Sequence, residues 1–480
     1  MLIIQREKKL TNLIVRLFLI DFPAQINTLE FSFLSSLSII MAELRPSGFP
    51  EYSPAQQLIF DQITEIITRN YKQFGYTHIH TPAVEKNTTL LAKNGEETWK
   101  QIFGLYGMSQ GASDLKDYGL HFDLTVPFAR YTLDREHALT FPFKRYQIQP
   151  VWRGERAQKG RFREFFQCDI DVIWKGEKDY LYYDAEIIAT LGQTLTNIIQ
   201  STNLNDNITF HINNKKIVKS FLAEISENPE QAQTISNLID KFDKIGAEKF
   251  ESSLIEDLNI SGGTKDKILT FISFCTPELE KLNELKKLSS NETFQQGINE
   301  LETVLSLLDQ IKSTLNLSFN TTIDMKIIRG LDYYTGTIFE ATFDQMPSLG
   351  SICGGWRYAN LTWYIDAKRQ DYCGVWGSIG ISRILSRIFD ETDLKQQTIA
   401  DYLILNFENS FETWLSLISH LKSQGHNFEY YPHPDKLGKQ FAYADKKGIP
   451  FVIICGEGEK EQGIYKIKDM KTGEETIHKL

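Results

Sequence analysis

The sequence predicts an α+β fold, in which an antiparallel sheet is interrupted by a helical insertion and followed by a small α/β domain. Strand-like stretches at 120–126, 144–152 and 168–174 follow one another without the helices that a parallel sheet requires. Leu, Lys and Glu recur at helical spacing across 180–325. After Thr398, strand-like and helix-like stretches alternate in the order βαβαβ, which is typical of a separate α/β domain.

Size and composition limit the class of protein. The 480 residues are 41% hydrophobic, which is enough for two or three domains with cores of their own. A formal net charge of -10 argues against general adhesion to nucleic acid, so a polyanion has to be met by local basic patches. The five cysteines include no CxxC pair, and the nine histidines form no ligand-spaced cluster. We therefore expect reduced thiols, a cytoplasmic location and no dedicated metal site.

The N-terminal leader differs from the rest of the chain. Its apolar stretches at 13–20 and 31–40 are flanked by Asp21 and Glu30, and neither approaches the roughly 20 residues that span a membrane. The acidic residues disfavour a transit peptide, and the cysteine pattern indicates no oxidising destination. We expect the natural start at Met41, with the preceding leader untranslated or disordered.

An amphipathic helix is predicted between Ser53 and Gly75. Ser53 suits the N-cap, Pro54 suits the first helical position and Gly75 suits the stop, with apolar residues at helical spacing between them. The next stretch, 77–85, reads as a strand broken by Pro82. We therefore expect this strand at a sheet edge or with a bulge.

The predicted domain limits follow these changes in texture. The helical segment returns directly to Gly-rich, strand-like sequence, so we interpret it as an insertion into the sheet domain. The predicted parts are a leader at 1–40, a sheet domain at 41–195 and 322–392, a helical insertion at 196–321 and a C-terminal domain at 398–480.

A basic cluster stands out in this acidic chain. Seven Lys and Arg lie between Lys144 and Arg163, against the single acid Glu155. A run of like charge is usually a solvated surface, but these cations are interleaved with aromatic residues such as Trp152 and Phe165, and they lead into a strand-like stretch. Arginines beside aromatic rings suit a site that holds phosphate and stacks a base.

Four motifs have to be explained together. They are HFDLTVPFARYT at 121–132, VWRGERAQKGRFREFFQ at 151–167, RGLDYYTGTIFE at 329–340, and the pair SICGGWRYANL at 351–361 and WGSIGISRIL at 376–385. Each is weak alone, because Gly-rich runs usually serve tight turns or close packing. Jointly they closely resemble the histidyl-tRNA synthetases, a family of class II aminoacyl-tRNA synthetases.

The resemblance is specific. RGLDYYTGTIFE matches the family's histidine-recognition signature, and GGWRYANL matches its second signature, although Trp356 and Ala359 stand where the family usually has glycine and aspartate. The stretch at 151–167 matches class II motif 2, and GSIGISRIL matches motif 3. The resemblance implies a class II catalytic domain with a helical insertion, a C-terminal anticodon-binding domain, and a homodimer built on the helix and strand after Ser53.

The implied first reaction joins the histidine carboxylate to the α-phosphorus of ATP, so negative charge develops on the phosphoryl oxygens. Guanidinium groups suit this step because they stay charged and bind phosphate oxygens in pairs. By resemblance, Arg329 and Arg153 are assigned as catalytic. The ATP-binding residues assigned in the same way are Arg153, Glu155, Arg161, Phe165 and Arg383. Mg²⁺ is expected with ATP, helped by Glu155.

The amino acid has to be recognised at both ends. The residues assigned to histidine by resemblance are Asp123, Thr125, Gln167, Asp171, Tyr333, Tyr334 and Tyr358. The first three match the positions that hold the ammonium, and Asp171 with Tyr334 matches those that hold the imidazole. Buried partners of this kind reject side chains without hydrogen-bonding groups, because an unpaired partner is costly.

Each assigned residue also has an ordinary structural interpretation. Asp123 alone reads as an acid in a turn, Gln167 as an exposed edge residue, the tyrosines as core aromatics and the arginines as salt-bridge partners. Their joint occurrence favours the site. Arg156 and Gln158, on the motif 2 loop, are assigned to the acceptor end of tRNA, with a solvated loop as the alternative.

Two functions follow from the resemblance. The first is a histidine–tRNA ligase that uses ATP, L-histidine and tRNA(His). The second is the synthetase-like regulatory subunit of ATP phosphoribosyltransferase, which keeps the fold and the pocket without aminoacylation and generally lacks the anticodon-binding domain. The stretch after Thr398 and the retained arginines favour the enzyme.

Overall fold

The computed structural model describes residues 46–92, 99–107, 117–157, 160–176, 180–328, 334–359, 361–369, 371–392, 394–407 and 411–479. The chain divides into a unit at Met1–Phe49 and a unit at Pro50–Leu480, and the fold described below is that of the second. The leader predicted at 1–40 lies outside the described residues. Within the described ranges, no helix is both long enough and apolar enough to cross a membrane.

Two sheets precede the C-terminal domain. Their strands are β1 (Thr77–His78), β2 (Val84–Lys86), β3 (Gly104–Leu105), β4 (Tyr118–Leu120), β5 (Phe143–Trp152), β6 (Glu164–Lys175), β7 (Ile208–Asn214), β8 (Cys275–Thr276), β9 (Asn320–Asp324), β10 (Tyr334–Phe343), β11 (Cys353–Ala359) and β12 (Tyr372–Ile379). In the part of the chain that is described, the larger sheet has the order β1, β5, β6, β12, β11, β10, β7, β9, β8, and the smaller has the order β2, β4, β3. Pairing is parallel for β1 with β5 and for β7 with β9, and antiparallel elsewhere in these sheets. The predicted antiparallel α+β class is confirmed.

Helices cover one face of the larger sheet. The helices before the C-terminal domain are α1 (Pro54–Gln73), α2 (Asn87–Leu90), α3 (Thr125–Asp134), α4 (Leu181–Thr202), α5 (Lys215–Ile225), α6 (Pro229–Ile239), α7 (Phe242–Ile245), α8 (Ala247–Ser252), α9 (Gly262–Ile272), α10 (Leu282–Leu285), α11 (Glu292–Leu315) and α12 (Ile381–Glu391). Helix α4 packs on α1, α11 and β12. The apolar core lies between these helices and one face of the larger sheet. The opposite face of the sheet is therefore available for polar side chains.

The predicted first helix is confirmed in its start and its end. Ser53 Oγ accepts a 3.3 Å hydrogen bond from Gln56 N, and Gln56 Oε1 accepts a 2.9 Å bond from Ser53 N, which completes a capping box. Pro54 occupies the first helical position. Gly75 follows the helix with a φ of +80°, a conformation that favours glycine.

Two predicted strands differ from the structure. The stretch 77–85 divides at Pro82 into β1, which lies at the edge of the larger sheet as expected, and β2, which joins the smaller sheet. The strand predicted at 120–126 is wrong, because β4 ends at Leu120 and α3 begins at Thr125. Asp123 Oδ1 accepts hydrogen bonds from the first backbone N–H groups of α3, which starts a helix where alternation predicted a strand.

The segment predicted as an insertion contains more than helices. Helices α5 to α11 fall within 196–321, but β7 also lies there and pairs with β10 across the larger sheet. The predicted domain limits themselves stay a prediction.

The C-terminal stretch forms its own sheet, as expected of an α/β domain. Its elements are β13 (Tyr402–Ile404), α13 (Phe411–Ser423), β14 (Phe428–Tyr430), α14 (Leu437–Lys447), β15 (Phe451–Ile454), α15 (Glu457–Glu461), β16 (Ile464–Asp469) and β17 (Glu475–Lys479). β13 is parallel to β14 and β15, while β16 and β17 continue the sheet antiparallel.

Candidate functional site

The face of the larger sheet opposite the apolar core carries buried polar side chains. Successive residues of a strand point to opposite faces, so Cys168, Ile170 and Val172 of β6 enter the core and the residues between them face the other way. We call this second face the polar layer. Its members are Gln167, Asp169 and Asp171 of β6 with their register partners Gln149, Gln147 and Arg145 of β5, all of them buried.

Asp171 is held from two sides within the polar layer. Arg145 Nη2 lies 2.5 Å from Asp171 Oδ2, and the Tyr358 hydroxyl donates a 3.2 Å hydrogen bond to Asp171 Oδ1. Gly374 leaves room for this tyrosine, because a Cβ there would lie 2.5 Å from the Tyr358 hydroxyl. Burial, followed by the charge of Asp171, raises the pKa of Tyr358, so its hydroxyl remains a donor at neutral pH. The structure thus joins two of the predicted histidine-binding residues.

Arg145 was given no role of its own by sequence reasoning. Its side chain is wholly buried, its guanidinium lies 4.3 Å from the ring centroid of Phe128, and Nη1 donates a 3.2 Å hydrogen bond to Gln147 Oε1. These contacts fix the cation beside Asp171. The signal that could have found it is the alternation of polar residues at 145, 147 and 149 along a strand otherwise suited to a core.

Asp169 is the second residue that sequence reasoning missed. Trp376 Nε1 donates a 2.8 Å hydrogen bond to Asp169 Oδ2, and the Ser378 side chain also bonds to this carboxyl group. Burial raises the pKa of Asp169 to about 6, although Arg145 and the two hydrogen bonds act in the opposite direction. A carboxyl group of this kind titrates close to neutrality.

A cavity of about 350 Å³ opens on this side of the sheet. The predicted residues that line it are Arg153, Glu155, Arg161, Phe165, Gln167 and Arg383. Trp356, Trp376 and Ser378 also line it. The predicted ATP-binding residues therefore converge on one space, together with one predicted to bind the histidine ammonium.

Arg153 is held by two aromatic rings and a backbone carbonyl oxygen. Its guanidinium lies 4.4 Å from the ring centroid of Phe122 and 5.0 Å from that of Phe165, and Nε donates a 3.2 Å hydrogen bond to Phe122 O. Burial lowers the pKa of Arg153, opposed first by the charge of Asp123. An arginine remains charged in such a site, which gives the cavity a preorganised cation.

The other two arginines of the cavity are Arg383 and Arg161. Arg383 lies in the first turn of α12 and donates through Nη1 to the Ser351 carbonyl oxygen. Gly350, at a φ of +76°, permits this approach, because a Cβ there would lie 3.1 Å from Arg383 Nη1. Arg161 Nη1 is 4.0 Å from Glu155 Oε2 with both side chains substantially exposed, a pair that contributes little stability.

Three aromatic rings pack together at the edge of the site, with one pair stacked and the other tilted. Tyr334 and Trp356 have ring centroids 4.2 Å apart with planes 21° apart, and Trp356 lies 4.0 Å from Trp376. Tyr334 is also the register partner of Tyr358 across β10 and β11. Trp356, which stands where the family usually has glycine, therefore fills space between two aromatic side chains of the site.

Other predicted residues lie away from the cavity or outside the described residues. Thr125 is buried at the start of α3, and its backbone N–H bonds to Asp123 Oδ1 at 3.1 Å. Arg156 is exposed. Arg329, Tyr333 and Gln158 lie outside the described residues.

The basic cluster is not a single surface. Lys144 Nζ lies 2.5 Å from Glu186 Oε1 and donates to Phe74 O, while Arg145 pairs with Asp171. Both cations hold elements of the fold together. They lie on opposite faces of β5, because a strand alternates its side chains between its two faces. The phosphate site suggested by this cluster therefore does not include Lys144 and Arg145, whose side chains pair within the fold.

The residues that the structure describes include no cluster of three or more His, Cys, Asp or Glu side chains suited to a metal ion. The carboxylate of Glu155 lines the cavity beside Arg153 and Arg161. One carboxylate together with substrate phosphates is a donor set that suits Mg²⁺. No disulfide joins the five cysteines, all of which are described.

Comparison with known proteins identifies the family of this chain. A family model for histidyl-tRNA synthetase matches residues 48–375, and a model for an anticodon binding domain matches residues 402–479. The chain is 38% identical over 430 residues to a histidine–tRNA ligase of Clostridium tetani, covering 89% of this chain and 93% of that relative. It is 35% identical over 445 residues to a histidine–tRNA ligase of Stenotrophomonas maltophilia, covering 88% and 93%.

Solved structures give the same result. The histidyl-tRNA synthetase of a Nostoc species matches with a TM-score of 0.79 and 33% identity, covering 91% of this chain and 96% of the other. A protein of Bacillus halodurans described as an ATP phosphoribosyltransferase regulatory subunit/histidyl-tRNA synthetase matches with a TM-score of 0.66 and 18% identity, which shows a shared fold alone. This chain therefore belongs to the histidyl-tRNA synthetase family, as shown by its relatives in sequence, by its structural match and by the family model that covers most of its length.

Proposed function

We propose that this chain is a histidine–tRNA ligase. It activates histidine with ATP to histidyl-adenylate and pyrophosphate, and then transfers histidine to the 3′ end of tRNA(His). The proposal rests on one observation: Arg153, Arg161 and Arg383 line the same cavity as Gln167. Cations suited to phosphate therefore lie beside a hydrogen-bond acceptor suited to the ammonium group of an amino acid. Membership of the family supports the same reaction.

Adenylate formation needs positive charge where the α-phosphoryl oxygens gain negative charge. Arg153 meets this need, because its guanidinium is already desolvated between two rings and does not have to reorganise during the reaction. Arg383 and Arg161 reach the outer phosphates, and Arg383 with Phe165 encloses the adenine. By resemblance, Arg329 joins Arg153 at the α-phosphate.

Mg²⁺ would enter with ATP, and Glu155 is the carboxylate placed to help hold it. When bound, the ion would neutralise part of the phosphate charge.

Histidine is recognised by hydrogen bonds at its imidazole and at its ammonium group. Asp171 accepts from the imidazole, with its carboxylate held in place by Arg145 and Tyr358. Tyr334 and, by resemblance, Tyr333 complete the imidazole partners. Gln167 and Asp123 offer oxygen atoms to the ammonium, with Thr125 beside them. A side chain without hydrogen-bonding nitrogens would leave buried partners unpaired, which gives strong discrimination.

The tRNA is held at two places in this proposal. The C-terminal α/β domain binds the anticodon, and the exposed Arg156, with Gln158, approaches the acceptor end. We further propose a homodimer that acts in the cytoplasm. The domain limits proposed are a catalytic domain at 41–195 and 322–392, an insertion at 196–321 and an anticodon-binding domain at 398–480.

The regulatory subunit of ATP phosphoribosyltransferase is not favoured as an alternative. The anticodon-binding model matches residues 402–479, and Arg153 and Arg383 line the cavity. A subunit without aminoacylation requires neither of these features.

Aminoacylation of tRNA(His) with labelled histidine tests the proposal. The purified chain is expected to charge tRNA(His) and to leave another tRNA uncharged. An absence of charging, with histidine still bound, would contradict the ligase and favour a regulatory role.

A further inference from the structure

We propose that Asp169 is a positioning residue, which orients the side-chain amide of Gln167 so that its carbonyl oxygen faces the ammonium group of the amino-acid substrate. This inference rests on the proposed function, and it gives a role to a carboxylate that is itself outside the set assigned to the substrate.

Asp169 receives hydrogen bonds on both carboxyl oxygens. Trp376 Nε1 donates to Oδ2 at 2.8 Å, and Gln167 Nε2 lies 3.5 Å from Oδ1, a long contact beyond the usual range of about 2.7–3.2 Å for such hydrogen bonds. Ser378, the register partner of Asp169 on β12, also bonds to it. An ionised carboxylate accepts hydrogen bonds and cannot donate them. The NH₂ end of Gln167 therefore has to face Asp169.

The other end of the Gln167 amide is then determined. Gln167 is 7% exposed and lines the cavity, and its Oε1 is buried with no hydrogen-bond partner among the residues that the structure describes. A buried acceptor without a donor costs free energy, which a cationic donor would recover. The ammonium group of an amino acid is such a donor. If the amide rotated by half a turn, an NH₂ group would face this cation instead.

The neighbour of Gln167 on β5 does not provide the same orientation. Gln149 is its register partner, but its Oε1 accepts a 3.1 Å hydrogen bond from Thr81 N and its Nε2 donates a 2.9 Å bond to Thr81 O. Gln149 Oε1 also accepts from Gln147. The Gln149 amide thus forms its hydrogen bonds with the backbone of residue 81 and with Gln147 on its own strand. Asp169 is therefore the group that orients Gln167.

Several charged and titratable groups surround Asp169. On the side of the polar layer they are Arg145, Asp123 and Arg153, together with Asp171 two residues along the same strand face. On the core side, Tyr71 and Cys168 are near enough to be influenced by its charge.

The test compares histidine with its analogue lacking the α-amino group, 3-(imidazol-4-yl)propionate, by isothermal titration calorimetry. Asp169→Asn keeps the size of the side chain but adds a donor, so the Gln167 amide can rotate. We expect this variant to bind histidine at least about tenfold more weakly, as for the loss of a hydrogen bond to a charged group, and to bind the analogue as the wild type does. The ratio of the two affinities is therefore the readout.

A matched variant and a rescue separate this role from general damage. Asp171→Asn is the same change two residues away in the polar layer, and it should weaken histidine and the analogue alike because it affects imidazole binding. Adding Gln167→Glu to Asp169→Asn places oxygen atoms at both ends of the side chain, so histidine affinity should return. Both comparisons use the full chain.

A measurement on the wild type alone gives a second test that does not depend on a variant folding. Lowering the pH from about 7.5 to about 5.5 protonates Asp169, which can then donate, so the preference for histidine over the analogue should narrow. The two free ligands differ in imidazole pKa, because only histidine carries the α-ammonium group, so the imidazole titration of each ligand is measured separately and subtracted before the ratio is taken.

Two results would overturn the inference. One is an Asp169→Asn variant with an unchanged ratio of affinities, and the other is a variant that loses both ligands equally and is not rescued by Gln167→Glu. Failure of the proposed function looks different, because wild-type protein would then not charge tRNA(His), whereas the role of Asp169 is tested by the ratio of two binding affinities.

Discussion

Arg145 and Asp171 form an ion pair inside the larger sheet, with Arg145 Nη2 2.5 Å from Asp171 Oδ2 and both side chains 0% exposed. Removing one member of a buried pair leaves the other charge uncompensated. Arg145→Met should therefore reduce the free energy of unfolding by about 3–5 kcal/mol, measured by urea denaturation. Replacing both members, as in Arg145→Met with Asp171→Leu, should be less damaging than the single change. A single variant within about 1 kcal/mol of the wild type would mean that the pair is not buried as described.

Asp169 should make stability depend on pH in a direction opposite to that of most carboxylates. Its pKa is raised to about 6 in the folded chain, from an ordinary value of 3.8, mainly by burial. Between these values the folded state binds the proton that the unfolded state has released, so this group's contribution is full below about pH 4 and is lost as the pH rises to about 6. The difference between the two pKa values corresponds to about 3 kcal/mol in the free energy of unfolding.

The measurement is the free energy of unfolding from about pH 4 to about pH 7 for the wild type and for Asp169→Asn. Subtracting the two curves removes the contribution of the other carboxylates. Relative to the variant, the wild type should have its highest free energy of unfolding at low pH. This advantage should decrease as the pH rises. A flat difference would show that Asp169 titrates as an exposed aspartate does.

Arg329 is the residue assigned by resemblance to the reaction itself. Arg329→Ala should reduce histidine-dependent adenylate formation by at least about 10²-fold, because charge developing on the α-phosphoryl group loses its partner, with little change in thermal stability. The matched control is Arg369→Ala, which removes an arginine whose exposed guanidinium pairs with Glu136. Rapid-quench measurement of adenylate should show the control unchanged. Normal turnover in Arg329→Ala would contradict the assignment.

Trp356 should support the position of Tyr334. The Trp356 ring lies between Tyr334 and Trp376, at centroid distances of 4.2 and 4.0 Å. Trp356→Ala removes a stacking contact of about 0.5–1.5 kcal/mol from Tyr334, so KM for histidine should rise by about 2- to 10-fold. The KM for ATP should change less. An equal or lower KM for histidine would mean that the indole obstructs the pocket rather than supporting it.

The parts of the fold that could be predicted depend on local signals. Helix α1 was predicted because its cap residues Ser53 and Pro54 act within one turn. The strand predicted at 120–126 failed because one side chain, Asp123, bonds to the backbone ahead of it and starts α3. The place of β7 in the larger sheet could not be predicted from periodicity, because its partner β10 is more than a hundred residues away.

The candidate site shows the same division. Arg153 and Arg383 were predicted through motif resemblance, and the structure places both at one cavity. Arg145 and Asp169 were missed because their roles come from neighbours on other strands, such as Trp376 opposite β6. The alternation of polar residues along both β5 and β6 carried this information, but it becomes a buried layer only when the strands pair in register.

The measurement that tests the central claim most directly is ATP–pyrophosphate exchange by the purified full chain with each proteinogenic amino acid in turn. Exchange requires the amino-acid pocket and the arginine-lined cavity to act on the same substrate complex. We predict exchange with histidine and with no other amino acid. Exchange driven by a different amino acid, or histidine binding without exchange, would contradict the assignment of this chain as a histidine–tRNA ligase.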